Sequence, residues 1–152
     1  MTEPITIGDL PSARFVVIPE IVVQLLSGPV IAHLATCSEG RPHVTPVWIS
    51  CPTKDYLQVN VASASRKAMN AAHNPCVCLS MVAPHDARLW VVIEGFVTNT
   101  QDASDTAHLD RLAERYLGRA RRNPELPRRI LTIQPIAVHW WAERQKIEEP
   151  VW

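Results

Sequence analysis

Net charge is the first thing this sequence lacks. Lysine plus arginine and aspartate plus glutamate both total 15, so the formal charge is zero. That excludes binding nucleic acid through a broad basic surface, and the weak colloidal repulsion suits a chain that self-associates. No run approaches the ~20 apolar residues that a membrane-spanning helix needs. The first ten residues carry Glu3 and Asp9 and no basic stretch, so they do not read as a secretory leader. A cytoplasmic protein with no membrane and no nucleic-acid partner is expected. The four cysteines, Cys37, Cys51, Cys76 and Cys78, show no CxxC spacing, so reduced, mostly buried thiols are expected rather than a zinc site. The histidines at 33, 43, 73, 85, 108 and 139 form no HExxH or other metal spacing. GxSxG, P-loop and Rossmann glycine patterns are missing too. Lysine is scarce: only Lys54, Lys67 and Lys146 stand against twelve arginines.

What is present is a chain of 152 residues, 47% hydrophobic and 20% charged, the size of one domain. Residues 1–18 read as an irregular N-terminal extension and 142–152 as a tail. A short helix follows Pro19, with Ile21, Val22, Leu25 and Leu26 as its apolar stripe, and Gly28-Pro29 ends it. Six strands are expected: Val30 to Cys37, Arg41 to Ser50, Tyr56 to Ala62, Cys76 to Val82, Leu89 to Thr98 and Arg129 to Trp141. Pro135 implies a bulge or bend in the last of them. A helix over Arg66 to His73 is capped by Ser65. A longer helix spans Ala103 to Leu117, on the stripe Leu109, Leu112, Ala113, Tyr116 and Leu117. Asp102 and Asp105 are placed at its N-terminus and Gly118 at its stop. Short strands with dense turns favour an antiparallel barrel over an open parallel sheet.

Two local features carry chemistry. Ser65-Arg66-Lys67 puts a capping hydroxyl, two cations and free backbone N–H groups at one helix start, which suits a phosphate; a solvated helix start is the other reading. Pro46 lies within the strand His43 to Ile49, where it fits an edge or a place where backbone faces a ligand.

Together these residues resemble the pyridoxamine 5′-phosphate oxidase-like split-barrel superfamily, which binds FMN or the deazaflavin coenzyme F-420. The resemblance runs in order through Val30-Ile31-Ala32-His33-Leu34-Ala35-Thr36, Gly40 to Trp48, Val59-Asn60-Val61-Ala62 and Ser65 to Asn70. It continues through Asn74-Pro75, Leu79-Ser80-Met81, Val91-Val92-Ile93-Glu94-Gly95 and Ile136-Ala137-Val138-His139-Trp140. It implies a mainly β fold: a six-stranded antiparallel split β-barrel of Greek-key type with flanking helices. It further implies a homodimer with sites at the interface. Ser65, Arg66 and Lys67 would hold the cofactor phosphate, and Thr45, Pro46, Val47 and Trp48 would line the ring system beside Asn60 and Ala62. Trp90 matches a position that reaches the cofactor from the partner subunit, and Trp140 is a second candidate for that role; core or dimer packing is the other reading for both. The C-terminal substrate segment of a true pyridoxamine phosphate oxidase is absent, as is the basic residue of the second-strand FMN motif. Both point toward the deazaflavin-using and general-reductase branches.

The expectation is an oxidoreductase that moves two electrons between FMN or deazaflavin and a small organic substrate. The other reading is a non-enzymatic flavin, deazaflavin or haem carrier or sensor. Glu94, in an apolar strand, is expected to pair with an arginine. The basic segment from Arg119, Arg121 and Arg122 to Arg128 and Arg129 is either a solvated face or an attractor for a polyanionic tail such as the oligoglutamate of the deazaflavin.

Overall fold

The computed structural model describes residues 14–103, 106–119 and 127–142. In chain order it contains α1 (Glu20–Leu26), β1 (Ala32–Ser38), β2 (Arg41–Val47), β3 (Ile49–Thr53), β4 (Tyr56–Ala62) and α2 (Arg66–His73). These are followed by β5 (Cys76–Ala83), β6 (Asp86–Asp102), α3 (Ala107–Leu117) and β7 (Arg128–Trp141).

Alternation of apolar side chains builds the strands. Leu57, Val59 and Val61 of β4 point into the core, as do Leu34 of β1, Leu79 of β5, Ile93 of β6 and Leu131 and Ile133 of β7. The strands form one antiparallel sheet in the order β2-β1-β5-β6-β7-β4-β3. Its outermost strands, β2 and β3, are joined by Trp48 alone. That single-residue link brings the two ends of the sheet together and wraps it into a barrel around one apolar core. Val22 and Leu26 of α1 and Ala68 and Ala71 of α2 complete that core.

The split-barrel class is as the sequence implies, with seven strands rather than six. The second expected strand breaks at Trp48, between Val47 and Ile49, both of which are buried. Pro46 lies on an end strand opposite His33, and Pro135 sits at a register shift where β7 skips Ile136 between Gly95 and Glu94.

The expected start of the long helix is corrected. The ladder of β6 with β7 continues past Val97 through Thr100 opposite Leu131 and Gln101 opposite Ile130. Asp102 therefore ends a strand, paired with Arg129 at 3.3 Å, instead of facing a helix N-terminus. Helix α3 starts at Ala107 and Asp105 lies outside the described residues, while Gly118 closes the helix in the left-handed region (φ 69°). Glu94 is corrected as well: its partner is His139, at 3.7 Å, and not an arginine.

Candidate functional site

Two hydrogen bonds set the start of α2. Ser65 is extended and its Oγ accepts from the Ala68 N–H at 3.4 Å, as its capping role requires. Asn70 Nδ2 donates to Thr36 Oγ1 at 3.1 Å, which ties α2 to β1. Lys67, in the first turn, is thus aimed into a cleft on the flank of the barrel.

The cleft has a volume of about 740 Å³, within the ~300–1,000 Å³ usual for small-molecule sites. Its floor is the β2–β4 region, with Pro46, Val47 and Trp48 on one side and Asn60 and Ala62 on the other. Its far wall is α3, which contributes Leu109, Leu112 and Leu117. Lys67 and Arg128 are the charged residues that line it among the described residues. Burial, and then the nearby Arg128 guanidinium, lower the Lys67 ammonium below its ordinary pKa.

Six of the residues expected from the sequence therefore meet at one cleft: Pro46, Val47, Trp48, Asn60, Ala62 and Lys67. Thr45, Ser65 and Arg66 adjoin it without lining it. Thr45 Oγ1 is buried with no hydrogen-bond partner among the described residues, and Arg66 is exposed beside the α2 start. Trp90 and Trp140 lie elsewhere. Trp90 stands opposite Trp141, and Trp140 is twelve residues along β7 from Arg128, on the order of 40 Å of extended strand.

The α3 wall and Arg128 are what sequence reasoning missed. Arg128 falls in the arginine-rich segment, where nothing local marks one arginine over another. Only strand register shows that it lies directly across from Ala62, three residues before Ser65. Its Nε donates to Asn60 Oδ1 and its Nη2 to the Asn60 carbonyl at 3.0 Å.

Side chains hold α3 in place. Tyr116 stacks on Trp48 with ring centroids 5.2 Å apart and planes within 12°. Its hydroxyl donates to the Val30 carbonyl at 2.6 Å and accepts from the Ile49 N–H at 3.2 Å. Tyr116→Phe should therefore leave two backbone groups short of a partner and cost about 1–2 kcal/mol. Urea unfolding measures this, and an unchanged midpoint would show the hydroxyl to be idle.

His108, near the other end of α3, is buried, and its Nδ1 lies 3.3 Å from Asn60 Nδ2 and its Nε2 3.2 Å from Ser50 Oγ. Desolvation, then Arg111 and Arg115, lower its pKa from 6.5. The unfolded chain thus takes up this proton at a higher pH than the folded one. The stability this residue contributes is complete above 6.5 and declines as pH falls from there through the lowered folded value. His108→Gln should flatten that part of the stability–pH profile; an identical profile would contradict it.

Thiol chemistry has no support here. All four cysteines are free and half-buried. The Cys51 thiol donates to the Thr53 carbonyl at 3.0 Å, and burial pushes its pKa up to about 11. No group of three or more His, Cys, Asp or Glu among the described residues is arranged to hold a metal. No described helix is long and apolar enough to cross a membrane.

A wrapped antiparallel sheet with a cationic cleft on its flank defines a split-barrel protein. Solved structures of that fold match it closely. An F420 reductase is 26% identical, with 80% of this chain and 98% of that one covered and a TM-score of 0.74. A conserved hypothetical protein from Mycobacterium tuberculosis is 20% identical (89% and 91% covered, TM-score 0.64). General Stress Protein 26 from Bacillus anthracis is 19% identical (80% and 92% covered, TM-score 0.61). No curated protein matches the chain. The family model of pyridoxamine 5′-phosphate oxidase matches residues 18–142, and the chain belongs to that family.

Proposed function

We propose that this protein is an oxidoreductase that binds FMN or the deazaflavin coenzyme F-420 in the cleft beside α2 and transfers two electrons between it and a small organic substrate. The observation that carries this reading is the polarity of the cleft. Lys67 and Arg128 line it as cations, while Pro46, Val47, Trp48 and the α3 leucines give it an apolar wall. No acidic side chain among the described residues lines it. That donor set fits a flat molecule with an anionic tail, and the likeness to an F420 reductase supports the same class of ligand.

When bound, such a cofactor supplies hydride chemistry, so the protein's task is binding, orientation and exclusion of water. Lys67, with Ser65 and Arg66 at the helix start, would anchor the phosphate. The Thr45–Trp48 segment and Ala62 would shape the ring pocket, and the α3 leucines would keep water from one face. Haem is a poorer fit, because no histidine, cysteine or tyrosine, the usual axial ligands, lines the cleft among the described residues.

Trp90 and Trp140 do not line the cleft within one chain, and the resemblance gives them a place in the site from the partner subunit. The proposal therefore includes a homodimer, for which sedimentation should give twice the 17.0 kDa chain mass at micromolar concentration; a strict monomer would remove both tryptophans from the site. The function itself is tested by titrating apoprotein with FMN and with F-420 and then adding a reductant anaerobically. Saturable binding of one of them, with bleaching of its absorbance, is expected. Binding of neither would overturn the proposal.

A further inference from the structure

The polar contacts behind the cleft have a fixed direction. A guanidinium only donates, so the Asn60 amide atom facing Arg128 Nε must be the oxygen. The amide nitrogen then faces His108 Nδ1 at 3.3 Å and donates to it, which leaves Nδ1 without a proton. In a neutral ring the proton therefore sits on Nε2, where it is donated to Ser50 Oγ at 3.2 Å. Ser50 in turn donates to the Gln58 carbonyl at 3.4 Å. Each donor in this series has its acceptor only while His108 is neutral and in this one tautomer.

We propose that His108 is a positioning residue for the cleft: through Asn60 it aims the Arg128 guanidinium at the anionic group of the ligand, and protonation of His108 turns the Asn60 amide over, which costs Arg128 its Nε bond and that aim while Nη2 stays on the Asn60 carbonyl. That Arg128 meets the ligand rests on the function proposed above; that His108 orients Arg128 does not.

A proton on Nδ1 would set an N–H against the Asn60 NH₂. If the amide turned over to relieve this, its NH₂ would face the Arg128 guanidinium instead. Either arrangement opposes two donors, so the link between α3 and β7 cannot survive it. No anion among the described residues compensates. Arg111 and Arg115 on α3 and Arg128 on β7 are the charged groups described around His108, and β3 and β4 present Ser50, Cys51, Gln58 and Asn60. Burial among cations keeps the ring neutral at ordinary pH and makes its protonation an acid-side event.

Two readouts test this, one of them without ligand. Long-range ¹H–¹⁵N NMR of the full chain should show His108 with an unprotonated Nδ1 and a protonated Nε2 at neutral pH. The Arg128 Nε–H should be protected from exchange there and exposed once His108 titrates. The opposite tautomer, or an Arg128 signal indifferent to that titration, overturns the proposal whether or not a cofactor binds.

The second readout is the pH dependence of FMN and F-420 affinity in wild type, His108→Gln and His108→Leu. The phosphate monoester of FMN also takes up a proton on the acid side, so the glutamine variant is the reference. Glutamine can accept from Asn60 and donate to Ser50 with no proton to gain. It should keep the neutral-pH affinity, while wild type should lose roughly tenfold or more relative to it on acidification. Leucine should bind weakly throughout. A glutamine variant that follows the wild-type profile would overturn the proposal. Failure of every form to bind either cofactor would instead sink the proposed function and leave the NMR result to decide the role of His108.

Discussion

Lys67→Ala is expected to weaken the binding of FMN or F-420 at least tenfold while leaving the fold intact. A charge-assisted hydrogen bond to phosphate is worth about 1.5–3 kcal/mol, and each ~1.4 kcal/mol is a decade in Kd. Lys67 makes no ion pair among the described residues, so its removal strands no internal partner. What it loses is the cation facing the cleft. Burial and Arg128 already press the Lys67 ammonium toward neutrality, and an anion between the two would reverse that pressure. Lys67→Met, which keeps the apolar stem, separates packing from charge. Methionine should bind as poorly as alanine and unfold like wild type. Retention of wild-type affinity by either variant would remove the anion from this corner.

Gly95→Ala is expected to cause the largest loss of stability. A Cβ built at Gly95 would lie 2.6 Å from the Gln134 carbonyl oxygen and 3.0 Å from Ile133 Cγ2. The oxygen belongs to the backbone of β7, the strand that carries Pro135 and the register shift opposite Gly95, so it has no rotamer by which to withdraw. Overpacking of this kind costs about 3 kcal/mol. Since β6 and β7 lie at the middle of the sheet, a shift between them is felt on both sides. Thermal unfolding should show a midpoint lower by about 6–12 °C for a chain of this size. An unchanged midpoint would mean that the two strands have slack that the close approach denies.

Much of the barrel was legible because its strands follow simple physics. Alternation placed Leu57, Val59 and Val61 in the core, and the missing N–H of proline put Pro46 on an end strand and Pro135 at a register shift. The break at Trp48 was hidden, because Val47-Trp48-Ile49 is a continuous apolar run with no turn residue. The last turn of β6 was hidden for the opposite reason. Asn99 to Asp102 is polar and has strand form only because β7 pairs with it, so local pattern favoured the helix that begins beyond it.

The same division runs through the site. Lys67 was legible, since it follows a capping serine directly after a strand. Arg128 and the α3 leucines were not, because they reach the cleft by strand register and helix docking across long sequence separations. Asn60 was singled out for its strand position, yet its amide is committed at both ends, to Arg128 and to His108. It lines the cleft and orients Arg128 there.

The most direct test is a crystal structure of the protein soaked with FMN or F-420. Phosphate density within hydrogen-bonding distance of Lys67 Nζ, with the ring system between the Pro46–Trp48 segment and the α3 leucines, is the predicted result. A cofactor bound elsewhere on the barrel, or that corner filled by the protein's own side chains, would contradict the assignment.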